Sequence, residues 1–148
     1  MTQYNKKRHL ELLKKREEKS ISSTESKELF NYSVVLDRQL DWETRDKYLQ
    51  LLKKCIEGKI DIGEFLIPFE ERGRLNGEVL DILESNLILL EPHEKSLDFS
   101  DFIQQILQDC AIYNPDPEPF RHEYELDETE FRNSIEETYL QIQKLLKE

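Results

Sequence analysis

The residues with the most capacity for chemistry lie between Tyr113 and Phe131, in the run YNPDPEPFRHEYELDETEF. Asp116, Glu118, Glu123, Glu125 and Asp127 stand there against one base, Arg121, and one histidine, His122. Pro115, Pro117 and Pro119 forbid regular helix and hold the backbone extended. A stiff acidic loop of this composition has little capacity for a core of its own, and its carboxylates suit a positively charged partner. The competing chemistry is acid–base catalysis by His122 with Glu123 or Glu125. A solvated surface histidine among carboxylates is the simpler account of those residues.

Other chemistries find no pattern. His9, His93 and His122 lack a second ligand three or four residues away, and Cys55 and Cys110 are unpaired in sequence, so no zinc set is expected. No glycine-rich phosphate loop, nucleophile elbow or calcium loop occurs. The chain is accordingly read as a non-enzyme with no cofactor, no metal and no small-molecule substrate. Both cysteines fall on apolar faces of expected helices, which points to small buried hydrophobes in a reducing compartment rather than a disulfide. No run approaches a membrane span and no apolar signal block opens the chain, so a cytoplasmic or equivalent reducing location is expected.

Charge is distributed unevenly. The 148 residues carry 32 acids and 21 bases, a net charge of −11. Residues 1–19 hold seven bases and three acids, whereas Glu91 to Glu148 holds fifteen acids and five bases. A negative C-terminal half repels phosphates, which argues against direct nucleic-acid binding by that part and favours a cationic protein partner.

The elements that must position the loop are helices. Only four glycines and a modest apolar content of 37% argue against a sheet protein. Residues 1–40 read as a basic N-terminal arm and linker: KKRHLELLKKREEK has helical propensity, SISSTES is polar, and 27–40 suits a short helix or extended segment. Residues 41–148 read as the bundle domain. Asp41 is expected to cap a helix carrying Trp42, Leu49, Leu52 and Ile56, with Gly58 ending it. Asp61 and Glu64 stand at capping-box spacing, with Ile60 and Phe65 placed as a hydrophobic staple. Pro68 predicts a kink or break. Asn76 is expected to cap a third helix reaching Leu90, and Asp98 a fourth with Phe102, Ile103, Ile106 and Leu107. Asp127 and Glu130, with Leu126 and Phe131, repeat the box and staple before a final stripe of Phe131, Ile135, Tyr139, Ile142 and Leu146. The expected architecture is all-α, an antiparallel four- to five-helix bundle with a basic, partly ordered N-terminal extension.

Two stretches carry a family resemblance. They are Lys59–Gly77, KIDIGEFLIPFEERGRLNG, after the helix YLQLLKKCIEG, and Gln104–Arg132, QQILQDCAIYNPDPEPFRHEYELDETEFR. In order, spacing and character this set, covering about residues 48–148, resembles the colicin D immunity family, small all-helical proteins that neutralise tRNA-cutting toxins. The resemblance implies a bundle that binds a basic nuclease toxin domain and occludes its active site, an acidic stretch standing in for tRNA phosphates. Asp116 and Glu118 match that stretch. Ala111 and Asn114 stand where family members carry acids, Pro119-Phe120 is inserted, and Asp109 is the candidate replacement carboxylate. The expected partner-binding residues are Asp109, Tyr113, Asp116, Glu118, Arg121, Glu123 and Glu125, with Tyr113, Phe120 and Tyr124 as apolar anchors; the competing expectations are that Arg121 bridges loop carboxylates and that Tyr113 and Phe120 pack onto the bundle. The alternative is a non-catalytic assembly subunit that uses the basic N-terminal arm.

Overall fold

The computed structural model describes residues 3–116 and 120–148. Among them lie six α-helices: α1 (Lys6–Glu17), α2 (Ser23–Glu43), α3 (Arg45–Ile56), α4 (Ile62–Ser85), α5 (Ser96–Ile112) and α6 (Glu128–Lys147). The only β-type pairing among these residues is one isolated parallel bridge, Tyr113 with Leu126. The all-α bundle expected from the sequence is present. Among the described residues no helix is long and apolar enough to cross a membrane.

Two helix starts follow their local signals. Asp127 accepts from the Glu130 N–H at 2.8 Å while Glu130 accepts from the Asp127 N–H at 3.1 Å, closing the box. Asp61 accepts from the Glu64 N–H at 2.7 Å, a cap without the return bond that would complete the expected box. Each side chain satisfies a backbone donor that the first helical turn leaves without a partner. The stripe of α6 then buries Phe131, Ile135 and Ile142 against Phe65, Phe99, Ile103 and Ile106 in the larger of two apolar cores.

The N-terminal third departs from expectation. Instead of a partly ordered arm, residues 6–17 form a docked helix, α1, with His9, Leu12 and Leu13 buried. The polar stretch read as a linker opens α2, because Ser22 and Glu25 make a second complete capping box. Residues 27–40 are the body of that 21-residue helix. Leu12 and Leu13 meet Leu29, Tyr32 and Leu36 of α2 and Leu89 beyond α4, which makes the second core. Neither helix is strongly apolar alone; burial of these side chains against each other is what holds them. Pairs of Arg8 with Glu28 at 2.6 Å and Lys15 with Glu25 set α1 antiparallel to α2.

Two expected helix starts are absent, for one reason. Asp41 does not start a helix but lies fully buried in the last turns of α2. Asn76 does not cap one either; α4 runs through it, and through Pro68, as a single helix of 24 residues. Both side chains are taken by a buried polar junction. Asp41 accepts from Arg72 Nε at 2.8 Å and from Arg72 Nη2, from Asn76 Nδ2 at 3.1 Å, and from Ser100 Oγ at 2.8 Å. Burial opposes the Arg72 charge, but Asp41 outweighs it and holds the guanidinium pKa above its ordinary value. Asp98, expected as a cap, sits inside the first turn of α5, and Lys95 holds the cap position. The chain bends at Thr44, whose Oγ1 donates to the Leu40 carbonyl at 3.0 Å as α2 gives way to α3. Leu87 ends α4 in the left-handed region (φ 56°), where glycine meets less steric cost, and Leu89 beyond it fills the second core.

A second buried junction joins α1 and α4. Glu84 Oε2 lies 3.0 Å from His9 Nε2 and 3.0 Å from Ser33 Oγ, and the Tyr4 hydroxyl lies 3.0 Å from His9 Nδ1. Burial pushes the Glu84 carboxyl up, but the bonds from His9 and Ser33 outweigh it and hold its pKa below the ordinary 4.5.

Two outcomes test these junctions. Asp41→Ala leaves the Arg72 charge buried without its partner and is expected to cost about 3–5 kcal/mol, read as a lower urea midpoint at unchanged slope. A loss below about 1 kcal/mol would show the junction to be peripheral to stability. A carboxyl with a lowered folded-state pKa binds fewer protons folded than unfolded. Glu84's contribution is therefore complete above its ordinary pKa and drains away as pH falls through the folded-state value. Between about pH 6 and about pH 3, amide protection in α1 is expected to fall before that in α5 and α6, and Glu84→Gln to flatten the trend. Equal protection of α1 at both ends of that range would contradict it.

Candidate functional site

The acidic loop leaves α5 at Ile112, where Tyr113 turns extended (φ −69°, ψ 128°). Its two ends are clasped. The Asn114 N–H donates to the Leu126 carbonyl at 2.8 Å, and the Leu126 N–H donates to the Ile112 carbonyl at 2.8 Å. Below the clasp the Tyr113 ring sits 5.0 Å from the Phe131 ring, so the base of the loop rests on the main core. Burial raises the Tyr113 pKa, with Glu128 and Asp61 adding to it. Phe65 in the first turn of α4 lies 5.9 Å, ring to ring, from Phe131 in the first turn of α6, so both helix starts stand at the same end of the bundle as the loop.

Side chains brace the loop from within. Asn114 Oδ1 accepts from the Asp116 N–H at 2.9 Å, and Asn114 Nδ2 donates to Glu125 Oε1 at 3.2 Å. That same Glu125 oxygen accepts from the His122 N–H at 2.9 Å. The His122 and Asn114 bonds stabilise the charged form, so the Glu125 carboxyl titrates below its usual range. Arg121 Nη1 donates to the Asp116 carbonyl at 3.2 Å, and Nη2 lies 3.7 Å from Asp127 Oδ2 at the α6 cap. Arg121 thus ties one limb of the loop to the other and to the helix that follows.

These contacts divide the residues expected to touch a partner. Asp109 is withdrawn from that surface: it is buried in α5, accepting from Ser134 Oγ at 2.6 Å and Gln105 Nε2 at 3.3 Å. Its position on the inner face of α5, opposite Ser134 of α6, decides this. Tyr113, Arg121 and Glu125 are half-buried and shape the loop. Asp116 and Glu123 are exposed. Glu118 lies outside the described residues. Beside the exposed acids project Phe120 and Tyr124, 74% and 67% exposed, with the His122 ring stacked on Tyr124 at 5.4 Å and 4°.

The end of the bundle is more acidic than the loop alone suggested. Glu64, Glu128 and Glu130 are exposed in the first turns of α4 and α6. Their signal was present in the repeated Asp-x-x-Glu capping pattern, which places acids at both helix starts. What the pattern did not reveal is that the two starts are neighbours. Burial raises the pKa of both thiols, Cys110 to about 12. Among the described residues no group of three or more histidine, cysteine or acidic side chains is placed to hold a metal ion.

No family model matches the chain, and no curated protein and no solved structure matches it either.

Removing the braces gives a direct test. Arg121→Ala combined with Glu125→Gln is expected to speed exchange of the Asn114 and Leu126 amides by about tenfold, at unchanged helical circular dichroism. Unchanged exchange would mean that the backbone clasp alone fixes the loop.

Proposed function

We propose that this chain is an immunity-type inhibitor that blocks the basic active-site cleft of a tRNA-cleaving, colicin-like nuclease by imitating nucleic acid. The observation that carries the reading is the braced loop, which holds Asp116 and Glu123 outward beside two largely exposed aromatic rings. A ribonuclease cleft must hold a polyanion and so carries lysine and arginine. Carboxylates presented to it form charge-assisted bonds, and Phe120 and Tyr124 add apolar anchors of the kind that dominate interface energies. A loop already tied at both ends loses little conformational freedom on docking. The resemblance of residues 48–148 to colicin D immunity proteins agrees with this reading, as does the net charge of −11. On this reading the protein works without catalysis and in the cytoplasm, where such a toxin acts.

The alternative, an assembly subunit working through a basic arm, has less support. Arg8 is paired with Glu28 and Lys15 with Glu25, within the chain itself.

Co-expression with colicin-like tRNA-cleaving domains tests the proposal. The wild-type chain is expected to restore growth against one of them and to stop tRNA cleavage by the purified domain. Asp116→Lys with Glu123→Lys is expected to raise the inhibitory concentration by at least about tenfold with the helical spectrum intact. Protection equal to wild type by that double variant, or no protection against any such domain, would refute the reading.

A further inference from the structure

A cleft of about 1070 Å³ opens between the residues ahead of α1, the middle of α2 and the connection from α4 into α5. Its α2 wall runs from Asn31 to Arg38, about 10 Å at the rise of a helix, so the cleft is elongated. Its volume stands at the upper end of small-molecule sites. One polar group in it lacks an internal partner. Tyr32 is only 6% exposed, its ring packed against those of Tyr4 and His9. The Tyr4 hydroxyl is engaged with His9, but the Tyr32 hydroxyl bonds to no described residue. Every side-chain nitrogen or oxygen sealed from solvent has a partner, so the Tyr32 hydroxyl is open to the cleft that Tyr32 lines. A hydroxyl set this deep and left unpaired is a ready hydrogen-bonding group for a ligand.

The lining sets four acids, Glu91, Glu94, Asp98 and Asp101, against one arginine, Arg38. Arg38 donates to Asp101 at 2.7 Å, and Lys6 reaches Glu91 at 3.4 Å from outside the lining. Lys95 is turned away, its ammonium donating to the Glu148 carbonyl. Glu94 and Asp98 therefore stand in the cleft with no cation among the described residues. No three of the described acids converge as a metal site. The rest of the wall includes Val34, Val35 and Leu97, which are half-buried. An anion would be repelled here, and a neutral ligand would leave both carboxylates unpaired. Ammonium groups carry only donors, and so satisfy Glu94, Asp98 and the Tyr32 oxygen alike, while methylene segments suit the valines. We propose that this cleft binds an aliphatic polyamine. The site is separate from the acidic loop and does not depend on the reading given for it.

Isothermal titration calorimetry of the full chain with spermidine at physiological salt is expected to show one saturable site. Tyr32→Phe alters no charge and breaks no hydrogen bond of the fold, and is expected to weaken binding by at least about threefold. Glu94→Gln with Asp98→Asn, both exposed, is expected to weaken it by at least about tenfold at unchanged helical circular dichroism. Glu136→Gln with Glu137→Gln removes the same charge from the exposed face of α6 and is expected to bind as wild type does. Absence of a saturable site overturns the proposal, as does wild-type affinity in Tyr32→Phe. An equal loss in the α6 variant would mean diffuse attraction to an acidic protein and overturn it too. Tetralysine is expected to bind more weakly, because its peptide groups would be set against the valines. Equal or tighter binding of tetralysine would assign the cleft to lysine side chains of another protein, against the proposal.

Discussion

The Asp41–Arg72 pair is the contact on which the arrangement of helices turns. Moving a carboxylate and a guanidinium out of water costs several kcal/mol for each ion, and only near-complete hydrogen bonding offsets that cost. Here Asp41 accepts from Arg72, Asn76 and Ser100, drawn from α4 and α5, while itself belonging to α2. Sliding α2 along α4 by one turn would leave a buried charge unpaired. The pair therefore specifies register in a way that leucine packing against leucine does not. It also explains why α4 continues through Asn76, whose amide is needed in the interior rather than at a helix end.

The two apolar cores are joined by the helices that serve both. Leu29, Tyr32 and Leu36 of α2 belong to the second core, and Trp42 at its end belongs to the first. Arg72 and Glu84, three turns apart on α4, hold the buried junctions to Asp41 and to His9. These polar contacts act as pins at separate points along two long helices, and the apolar surface between them supplies most of the stabilisation. The N-terminal helix is part of this scheme because its leucines close a core that α2 alone would leave open to water.

The acidic loop depends on the same frame. Its base is a continuation of α5 and α6, tied by two backbone bonds and resting through Tyr113 on Phe131. Charged residues divide between supporting and presenting roles. Arg121 and Glu125 neutralise part of each other's surroundings while bracing the turn, which leaves Asp116 and Glu123 turned to solvent beside Phe120 and Tyr124. Such a division reconciles a rigid loop with a strongly negative surface.

Local chemistry was legible from the residues in order. The box at Asp127–Glu130, the cap at Asp61 and the stripe of α6 each depend on contacts within a turn or two, where spacing alone decides who meets whom; the box at Ser22–Glu25 is of the same kind, but its stretch reads as a polar linker until α1 and α2 are packed together. Of the loop's three prolines, Pro117 and Pro119 lie outside the described residues, and the bracing seen in the described part comes from Asn114, Arg121 and Glu125. Asp41, Asn76 and Asp109 were misread because a short polar side chain suits a helix cap, a surface and a buried junction equally well. Which of these it serves depends on a donor dozens of residues away, Arg72 for Asp41 and Ser134 for Asp109. The docking of α1 was hidden for the same reason: its basic, weakly apolar sequence resembles a solvated arm until the Leu29–Leu36 face and Glu84 are placed against it. Short-range hydrogen bonding and helical period belong to the sequence by itself. Burial of a polar group is decided only by the tertiary structure, because its cost is set by partners that chain order does not bring near.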